Sequence, residues 1–408
     1  MSYVMAFDVS MGKSAVVIYD DNQQCHYEGE VEHTTVGSRS LKEQINLVRK
    51  LDGQLPEIVF EATGVYSQGL ERFLQNEQYP YSRINPLQAK LQMATGSMRR
   101  HKTDISDAHE LAKSHFKTER NKTYVHEEYF EQMRALGRYY DDLEHESRQY
   151  ANRLHAFLQL SFPLLEDVFS RSSLHFLQIV QHYPHPDLIK GLSLEEIQSR
   201  VKETSLKNIS LQQAEKKAAL LLAAAENSYP AIQATDVRCQ HLKECAQRVK
   251  ELKRQKKEII KQMVQLSKER SDFQVLISFP GIGEATAVRI IGELGDIRRF
   301  QNNKQVNAYA GIDIQRYQSG KLHYQDRINK RGNRRLRKIL YFMVISMISL
   351  RKRTQNTIVD YYDQLKKQPQ SKPHKVAVIA CVNKFLKVAF HLIQHSIPYN
   401  YAFAMASA

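Results

Sequence analysis

The chain has 408 residues, 42% of them hydrophobic, and carries a formal net charge of +15 with a pI of about 9.4. This length exceeds what one hydrophobic core usually supports, so we expect two or three folded domains and little disorder. The positive charge points to an acidic partner, either nucleic acid or an anionic membrane surface.

A membrane partner is the weaker of these two interpretations. The longest apolar run, residues 339–350, is too short to span a bilayer and is interrupted by Ser346 and Ser349. Residues 1–10 lack a charged start followed by a hydrophobic signal segment. We therefore expect a cytoplasmic protein that does not contact membranes.

The four cysteines stand at positions 25, 239, 245 and 381. Their spacing matches neither a CxxC pair nor a Cys/His zinc site. We expect free thiols in a reducing compartment and no structural metal.

Residues 1–125 alternate between strand-like and helix-like patterns. Three β-rich runs come first, YVMAFDVSM, SAVVIYD and CHYEGEVEH, and a helix-periodic run, LKEQINLVRKL, follows them. A buried strand, EIVFEATG, and a second helix, LERFLQNEQ, come next. This order predicts an α/β domain with a mixed sheet.

Residues 126–270 are predicted to be a helical linker with a coiled-coil arm at about 237–270. Apolar residues in the arm follow a heptad a/d stripe that only Lys256 interrupts. The stripe consists of Leu242, Cys245, Val249, Leu252, Ile259, Met263 and Leu266. It predicts pairing between copies of the chain, as a dimer or tetramer. An ordinary amphipathic helix packed within its own chain fits equally well, because fewer than four heptads are sustained.

Residues 271–408 are predicted to form a mainly α-helical domain, which opens with SFPGIGEATAVRIIGELGD. Gly281 and Gly283 precede a helix that starts near Glu284, and the segment resembles a helix-hairpin-helix turn. Glycines there let backbone N–H groups approach a nucleic-acid phosphate. An ordinary glycine-rich loop is the alternative.

Four acids in the first domain are predicted to share one site. Asp8 and Glu61 lie in or at the end of apolar strands, where an unpaired carboxylate is costly to bury. Asp104 and Asp107 lie three residues apart at a predicted helix start, which puts them on one face. Converging carboxylates need neutralising cations, and Mg²⁺ or Mn²⁺ suits such oxygen ligands. Singly, each acid has an ordinary structural explanation; together they favour a metal site and resemble the RuvC-like, RNase H-type nuclease core.

A basic segment lies in the last domain around Ser319. Ser319 is either a turn serine within a passive surface for polyanions or a nucleophile directed at a phosphodiester. The cations that we expect to bind nucleic acid here are Lys321, Lys330, Arg331, Arg334, Arg335, Arg337 and Lys338. Six of them surround Gly332 with no acid among them, and would repel one another unless phosphates neutralised them.

The order and spacing of several motifs resemble the IS110/IS1111 family of insertion-sequence transposases, relatives of the Piv/MooV DNA invertases. These motifs are FDVSMGKS, FEATGVY, INPLQAKLQ, RRHKTDISDAHELA, PGIGEATA, AYAGIDIQRYQSGK and INKRGNRRLRKIL. The resemblance covers both ends of the chain, whereas the middle resembles the family only in being helical.

The resemblance implies roles for particular residues. It implies a RuvC-like domain whose Asp-Glu-Asp-Asp tetrad is Asp8, Glu61, Asp104 and Asp107, and a transposase domain whose serine nucleophile is Ser319. It further implies a non-coding guide RNA, made from the ends of the element, that pairs with donor and target DNA.

Other functions stay open at this point. A metal-dependent nuclease of the Holliday-junction-resolvase kind would use the acids alone, and a non-catalytic RNA- or DNA-binding scaffold would use neither site. A tyrosine recombinase would need Tyr309, Tyr317 or Tyr324, but the sequence shows no supporting Arg/His constellation.

Overall fold

The computed structural model describes residues 3–86, 89, 103–118, 120–205, 208–315, 318–319, 322–323, 327–369 and 371–406, of which 318–319, 322–323 and 404–406 are described by their backbone only. The chain divides into two compact units, Met1–Val125 and His126–Ala408.

The first unit is built on a five-stranded mixed sheet with the order β3-β2-β1-β4-β5. The strands are β1 (Val4–Val9), β2 (Lys13–Tyr19), β3 (Cys25–Glu32), β4 (Glu57–Glu61) and β5 (Tyr81–Ile84). Strands β1, β4 and β5 are parallel, whereas β2 and β3 are antiparallel to their neighbours. The helices are α1 (Thr35–Asp52), α2 (Ser67–Asn76) and α3 (Asp104–Lys117). The predicted α/β layout is confirmed, and β5 is a strand that the sequence analysis missed.

The sheet is covered on both faces by hydrophobic side chains. Met5, Phe7 and Val9 of β1 join the cluster formed with α1 and α2. Val4 and Ala6, which alternate with them, join the cluster formed with α3. A strand buried on both faces reads as a continuous apolar run, which explains why the residues of β1 before position 8 carry no polar side chain.

The second unit is predominantly helical, as expected from its sequence. Its helices are α4 (Glu128–Ser161), α5 (Leu165–Val168), α6 (Leu174–His182), α7 (Leu194–Glu203), α8 (Leu211–Asn227), α9 (Val237–Ser267), α10 (Ser271–Ile277), α11 (Glu284–Leu294), α12 (Asn303–Ala310), α13 (Arg334–Ser349), α14 (Thr357–Lys366), α15 (His374–Gln394) and α16 (Tyr401–Ala406). The described residues between α12 and α13 include four two-residue strands: β6 (Ile314–Gln315), β7 (Gln318–Ser319), β8 (Leu322–His323) and β9 (Arg327–Ile328).

The heptad stripe of α9 packs inside its own chain, against α4. Contacts such as Tyr129 Oη to Ser267 Oγ at 2.8 Å and Lys256 Nζ to Glu144 Oε2 at 2.5 Å show that the two helices run antiparallel. Every stripe residue except Leu266 is at most 7% exposed. The expectation that this stripe joins copies of the chain is therefore corrected, because its apolar face is already covered.

Lys256, the polar residue within the stripe, is explained by the same pairing. Its side chain is only 15% exposed, and its ammonium group forms an ion pair with Glu144 of α4. Arg248 and Glu146 form a second ion pair between these helices at 2.7 Å. A cation at a buried position is tolerated when a carboxylate faces it.

Replacing Leu252 with alanine should lower the free energy of unfolding of the second unit by about 2–5 kcal/mol, because it opens a cavity in a fully buried site. Leu266→Ala, on the same helix at a 39% exposed position, is the matched control and should cost much less. Chemical denaturation measures both. Unchanged stability of the Leu252 variant, together with a lower mass in light scattering, would show that the stripe pairs copies instead.

One described helix, α15, is long and apolar enough to cross a membrane by length and composition alone. Its buried residues, which include Val378, Cys381 and Phe385, belong to the hydrophobic cluster that α13 and α14 also line. The apolar composition of α15 is accounted for by that packing.

Candidate active site

Asp8 and Glu61 lie side by side at one edge of the sheet. Strands β1 and β4 run parallel, with Phe7 paired to Phe60, and the two acids are the next residue of each strand. Neighbouring strands are about 4.8 Å apart, so the backbones that carry these acids are adjacent. Both acids are partly buried.

The two acids also share one face of the sheet. Asp8 follows Ala6 by two residues, and Glu61 follows Val59 by two; both apolar residues belong to the cluster beneath α3. Side chains two residues apart in a strand lie on the same face. The side chains of Asp8 and Glu61 therefore lie on the side of the sheet that α3 covers.

Asp104 is held at the same edge by β1. It is the first residue of α3, and the Ser10 hydroxyl, just beyond β1, donates to Asp104 Oδ2 at 2.9 Å. Thr103 caps the helix, with Ser106 completing a capping box. Asp107 follows one turn later, partly exposed. The predicted helix start and the predicted shared face of the two aspartates are thus present.

Two histidine–glutamate pairs anchor α3, and the sequence analysis missed both. His109 Nε2 lies 2.8 Å from Glu28 Oε2, and its Nδ1 lies 2.7 Å from the Tyr19 hydroxyl. Farther along, His115 Nε2 lies 2.5 Å from Glu57 Oε2. Their partners come from β2, β3 and β4, so no local pattern could have revealed them. They fix the helix that carries Asp104 and Asp107 to the sheet.

The donor chemistry of this edge fits a hard divalent cation, since all four acids offer carboxylate oxygens. Among the residues that the structure describes, no group of three or more His, Cys, Asp or Glu side chains is close enough to hold a metal ion. Like charges at one edge favour side-chain positions that keep them apart. The acids share an edge and a face but do not form a ready-made coordination shell.

Ser319 lies in a segment of short antiparallel strands between α12 and α13. Strand β6 pairs with β9, and within that pair Ser319 of β7 pairs with Leu322 of β8, in both cases antiparallel. The backbone of Ser319 is described, whereas Lys321 lies outside the described residues, as do Tyr317 and Tyr324. We refer to residues 314–328 as the serine hairpin.

The base of the serine hairpin is closed by two glycines. A Cβ on Gly332 would lie 2.3 Å from the Tyr309 carbonyl oxygen and 2.4 Å from the Gly311 nitrogen. Gly311 has a φ of +68°, and a Cβ there would lie 2.6 Å from the Gly332 nitrogen. Neither position accepts a side chain, so backbone meets backbone where the hairpin joins the helices.

The predicted basic cluster divides into two groups. Lys330, Arg331, Arg334 and Lys338 are exposed, and no ion pair involving them occurs within the part of the chain that the structure describes. Those four remain candidates for binding phosphates.

The other two cations have partners within the chain, which corrects the expectation that the six cations depend on phosphates for neutralisation. Arg335 lies 3.7 Å from Asp141 and 4.0 Å from Asp142 of α4. Arg337 donates to the Ala310 carbonyl at 2.8 Å, and burial, followed by the nearby charge of Arg334, lowers its pKa. Arg337 thus stabilises the base of the serine hairpin.

The glycines of PGIGEATA serve different purposes. Gly281 has a φ of +92°, and a Cβ there would lie 2.9 Å from Met347 Cγ, so its role is close packing against α13. Gly283 is the N-cap residue of α11, and a Cβ there would meet open space. Only Gly283 leaves room for a phosphate at the helix start.

Tyr309 is used structurally. Its hydroxyl donates to the Glu293 carbonyl at 3.0 Å, and its ring packs beside Phe300 and under the Arg299 guanidinium. These contacts argue against Tyr309 as a nucleophile.

The chain consists of an acid-bearing α/β unit followed by a basic helical unit, and comparison with known proteins identifies the class as the DEDD-type transposases. Residues 5–163 match the DEDD transposase model of the IS110 type, and residues 273–360 match the model of the transposase IS116/IS110/IS902 family. The two matches together span more than half of the chain. The chain belongs to the IS110 family of insertion-sequence transposases.

Curated relatives agree over shorter stretches. The pilin gene-inverting protein of Moraxella bovis is 28% identical over 127 residues, which are 31% of this chain and 38% of that protein. The transposase for insertion sequence element IS1111A of Coxiella burnetii is 35% identical over 75 residues, 18% of this chain and 21% of that protein. The mini-circle putative transposase for IS117 of Streptomyces coelicolor is 35% identical over 68 residues, 16% of each chain. The alignments thus span less than half the length of these relatives.

Proposed function

We propose that this protein is the transposase of an insertion sequence, a site-specific recombinase that cuts and rejoins DNA in the cytoplasm. The observation that carries the proposal is the placement of Asp8, Glu61 and Asp104 at one edge and on one face of the sheet, in a chain whose two ends match models of the same family. The first unit is then a RuvC-like, RNase H-type domain.

The four acids would hold the divalent cation on which DEDD transposases generally depend. Asp8 and Glu61 supply oxygens from adjacent strands, and Asp104 and Asp107 supply them from the start of α3. A bound Mg²⁺ or Mn²⁺ makes a phosphodiester more electrophilic and neutralises the charge that develops on it. Ser10 keeps the Asp104 carboxylate at the strand edge by its hydrogen bond.

Ser319 would be the nucleophile for strand exchange. Its hydroxyl oxygen forms a bond to phosphorus, and the bond from phosphorus to one deoxyribose oxygen breaks. The serine proton passes to a base or to solvent, and the leaving deoxyribose oxygen takes up a proton to become a hydroxyl. The phosphoserine ester conserves the bond for rejoining, so no external energy source is required. The exposed cations Lys330, Arg331, Arg334 and Lys338 would bind phosphates of the nucleic acid that Ser319 attacks.

The partners in this proposal are donor DNA, target DNA and a non-coding RNA from the ends of the element. The exposed cations favour such polyanions, and the family resemblance supplies the guide. Assembly into a dimer or tetramer would have to use a surface other than the stripe of α9, which is buried.

The test is to express the protein with the ends of its element, sequence the RNA that copurifies, and incubate the complex with donor and target duplexes. We expect an element-derived RNA and strand-joined junctions that form only when both duplexes are present. Cleavage without joining would indicate a metal-dependent nuclease. Binding without cleavage would indicate a scaffold, and either result would overturn the proposal.

A further inference from the structure

A buried carboxylate lies between the two helices that flank the serine hairpin, α12 and α13. Glu293, in the last turn of α11, is only 3% exposed. Burial penalises a carboxylate unless other groups compensate it, and the C-terminal end of a helix disfavours negative charge.

The side chain of Glu293 has two polar neighbours. Its Oε2 accepts a hydrogen bond from Asn333 Nδ2 at 2.8 Å, and its Oε1 lies 3.7 Å from Arg138 Nε of α4. Oε1 is buried, and no hydrogen bond to it occurs within the described residues. The carboxylate is therefore held by Asn333 and compensated by the charge of Arg138.

The main-chain carbonyl of Glu293 accepts hydrogen bonds from residues before and after the serine hairpin. Its carbonyl oxygen accepts from the Tyr309 hydroxyl at 3.0 Å and from Asn333 Nδ2 at 3.2 Å. Tyr309 belongs to α12, which leads into the serine hairpin, and Asn333 follows the hairpin at the start of α13. One residue thus contacts both ends of the segment that carries Ser319.

Asn333 links Glu293 to the backbone of α13 and of α12. Its Oδ1 accepts from the Leu336 N–H at 3.0 Å and caps α13, while its own N–H donates to the Tyr309 carbonyl at 2.6 Å. The amide nitrogen and oxygen of Asn333 point in different directions, so Oδ1 faces α13 only when Nδ2 faces Glu293. Glu293 therefore fixes the orientation of this cap.

We propose that Glu293 is a positioning residue for Ser319. It anchors the helix starts and ends that flank the serine hairpin, through its side chain to Asn333 before α13 and through its main chain to Tyr309 of α12. That Glu293 positions a nucleophile rests on the proposed function of Ser319. The anchoring contacts do not depend on that function. Glu293 is buried and is not assigned any contact with the reacting phosphate, so it is not a catalytic residue.

The test uses hydrogen exchange on the full-length protein without nucleic acid. The reporting amides are those that close the base of the hairpin: Asn329 to Asp313, Lys330 to Gly311 and Asn333 to Tyr309. Glu293→Ala removes the side-chain acceptor for Asn333 and leaves only the longer bond to the main-chain carbonyl, so exchange at these amides should rise about tenfold or more while amides of α9 are unchanged. Glu284→Ala, an exposed acid in the first turn of the same helix, is the matched control and should leave exchange unchanged.

A double variant separates anchoring from general destabilisation and does not depend on the alanine variant folding. Asn333→Asp keeps an oxygen to cap α13 but sets two carboxylates against each other, so exchange should rise. Combining it with Glu293→Gln restores a donor and an acceptor with their roles exchanged, and exchange should return most of the way to the wild-type rate. Unchanged exchange in Asn333→Asp, or no rescue in the double variant, would overturn the anchoring.

The link to Ser319 is read separately, from covalent DNA adducts. Glu293→Ala should reduce adduct formation about tenfold, and the double variant should recover it. Faster exchange with unaltered adduct formation would overturn the positioning role. A wild-type protein that forms no adduct would instead contradict the proposed function of Ser319, and exchange alone would then decide whether Glu293 anchors the hairpin.

Discussion

Replacing Asp104 with asparagine should reduce DNA strand cleavage at least about a hundredfold and leave the fold intact. Asparagine is nearly isosteric, and its carbonyl oxygen can still accept the hydrogen bond from Ser10 that holds the start of α3. Because Asp104 is exposed, the change creates no cavity. What is lost is one negative charge, and with it the affinity of this edge for a divalent cation.

The control for Asp104 is Asp21→Asn, which removes the same charge from an exposed aspartate between β2 and β3. That variant should cleave as well as the wild-type protein. Chelation with EDTA should abolish cleavage by the wild type, and added Mg²⁺ should restore it. Full cleavage by Asp104→Asn, or in EDTA, would remove the metal-binding role from the four acids.

Replacing Ser319 with alanine should abolish the denaturant-resistant DNA adduct while binding of RNA and DNA persists. Ser319 lies in a two-residue strand paired with Leu322, and alanine fits that backbone without strain. The variant removes the oxygen that would bond to phosphorus and leaves the exposed cations Arg331, Arg334 and Lys338 in place. Nucleic-acid affinity should therefore change little, since the phosphate contacts supply most of it.

Two further variants define the result at Ser319. Ser319→Cys keeps a nucleophile at the same place and should retain a trace of adduct. Ser346→Ala, at an exposed position of α13, should form adduct at the wild-type level. If the wild-type protein cuts and rejoins DNA without any adduct, Ser319 is not the nucleophile, and the acids alone perform the chemistry.

Much of the first unit follows from sequence patterns. Strand β1 is an apolar run with Asp8 one residue before its end, strand β4 ends in Glu61, and helix α3 begins where Thr103 and Ser106 form a capping box. These signals are local, because strand period, polar residues at strand ends and helix caps involve residues only a few positions apart. The shared edge of Asp8 and Glu61 then follows from the parallel arrangement of the two strands.

Local sequence patterns could not predict which residues far apart in the sequence contact one another. The stripe of α9 shows that one helix face is buried, but it does not say against what, and both answers give the same heptad pattern. The deciding residue, Glu144, lies more than a hundred positions from Lys256. Glu293 shows the same limit, since an acid late in an amphipathic helix looks like any solvated charge until its burial is known.

The antiparallel pair of α4 and α9 is shared between two hydrophobic cores. Phe130, Met133 and Leu143 of α4 belong to the core that contains the C-terminal helices, whereas Leu154 and Leu158 belong to a second core built with α6, α7 and α8. Residues 162–236 connect the end of α4 to the start of α9, which lie at the same end of the antiparallel pair. We call residues 162–236 the module, and the pair of α4 and α9 the stem. Neither family match reaches across residues 164–272. Because the module joins the stem at one end, it is the part of the chain best suited to carry a fused reporter far along the stem from the serine hairpin.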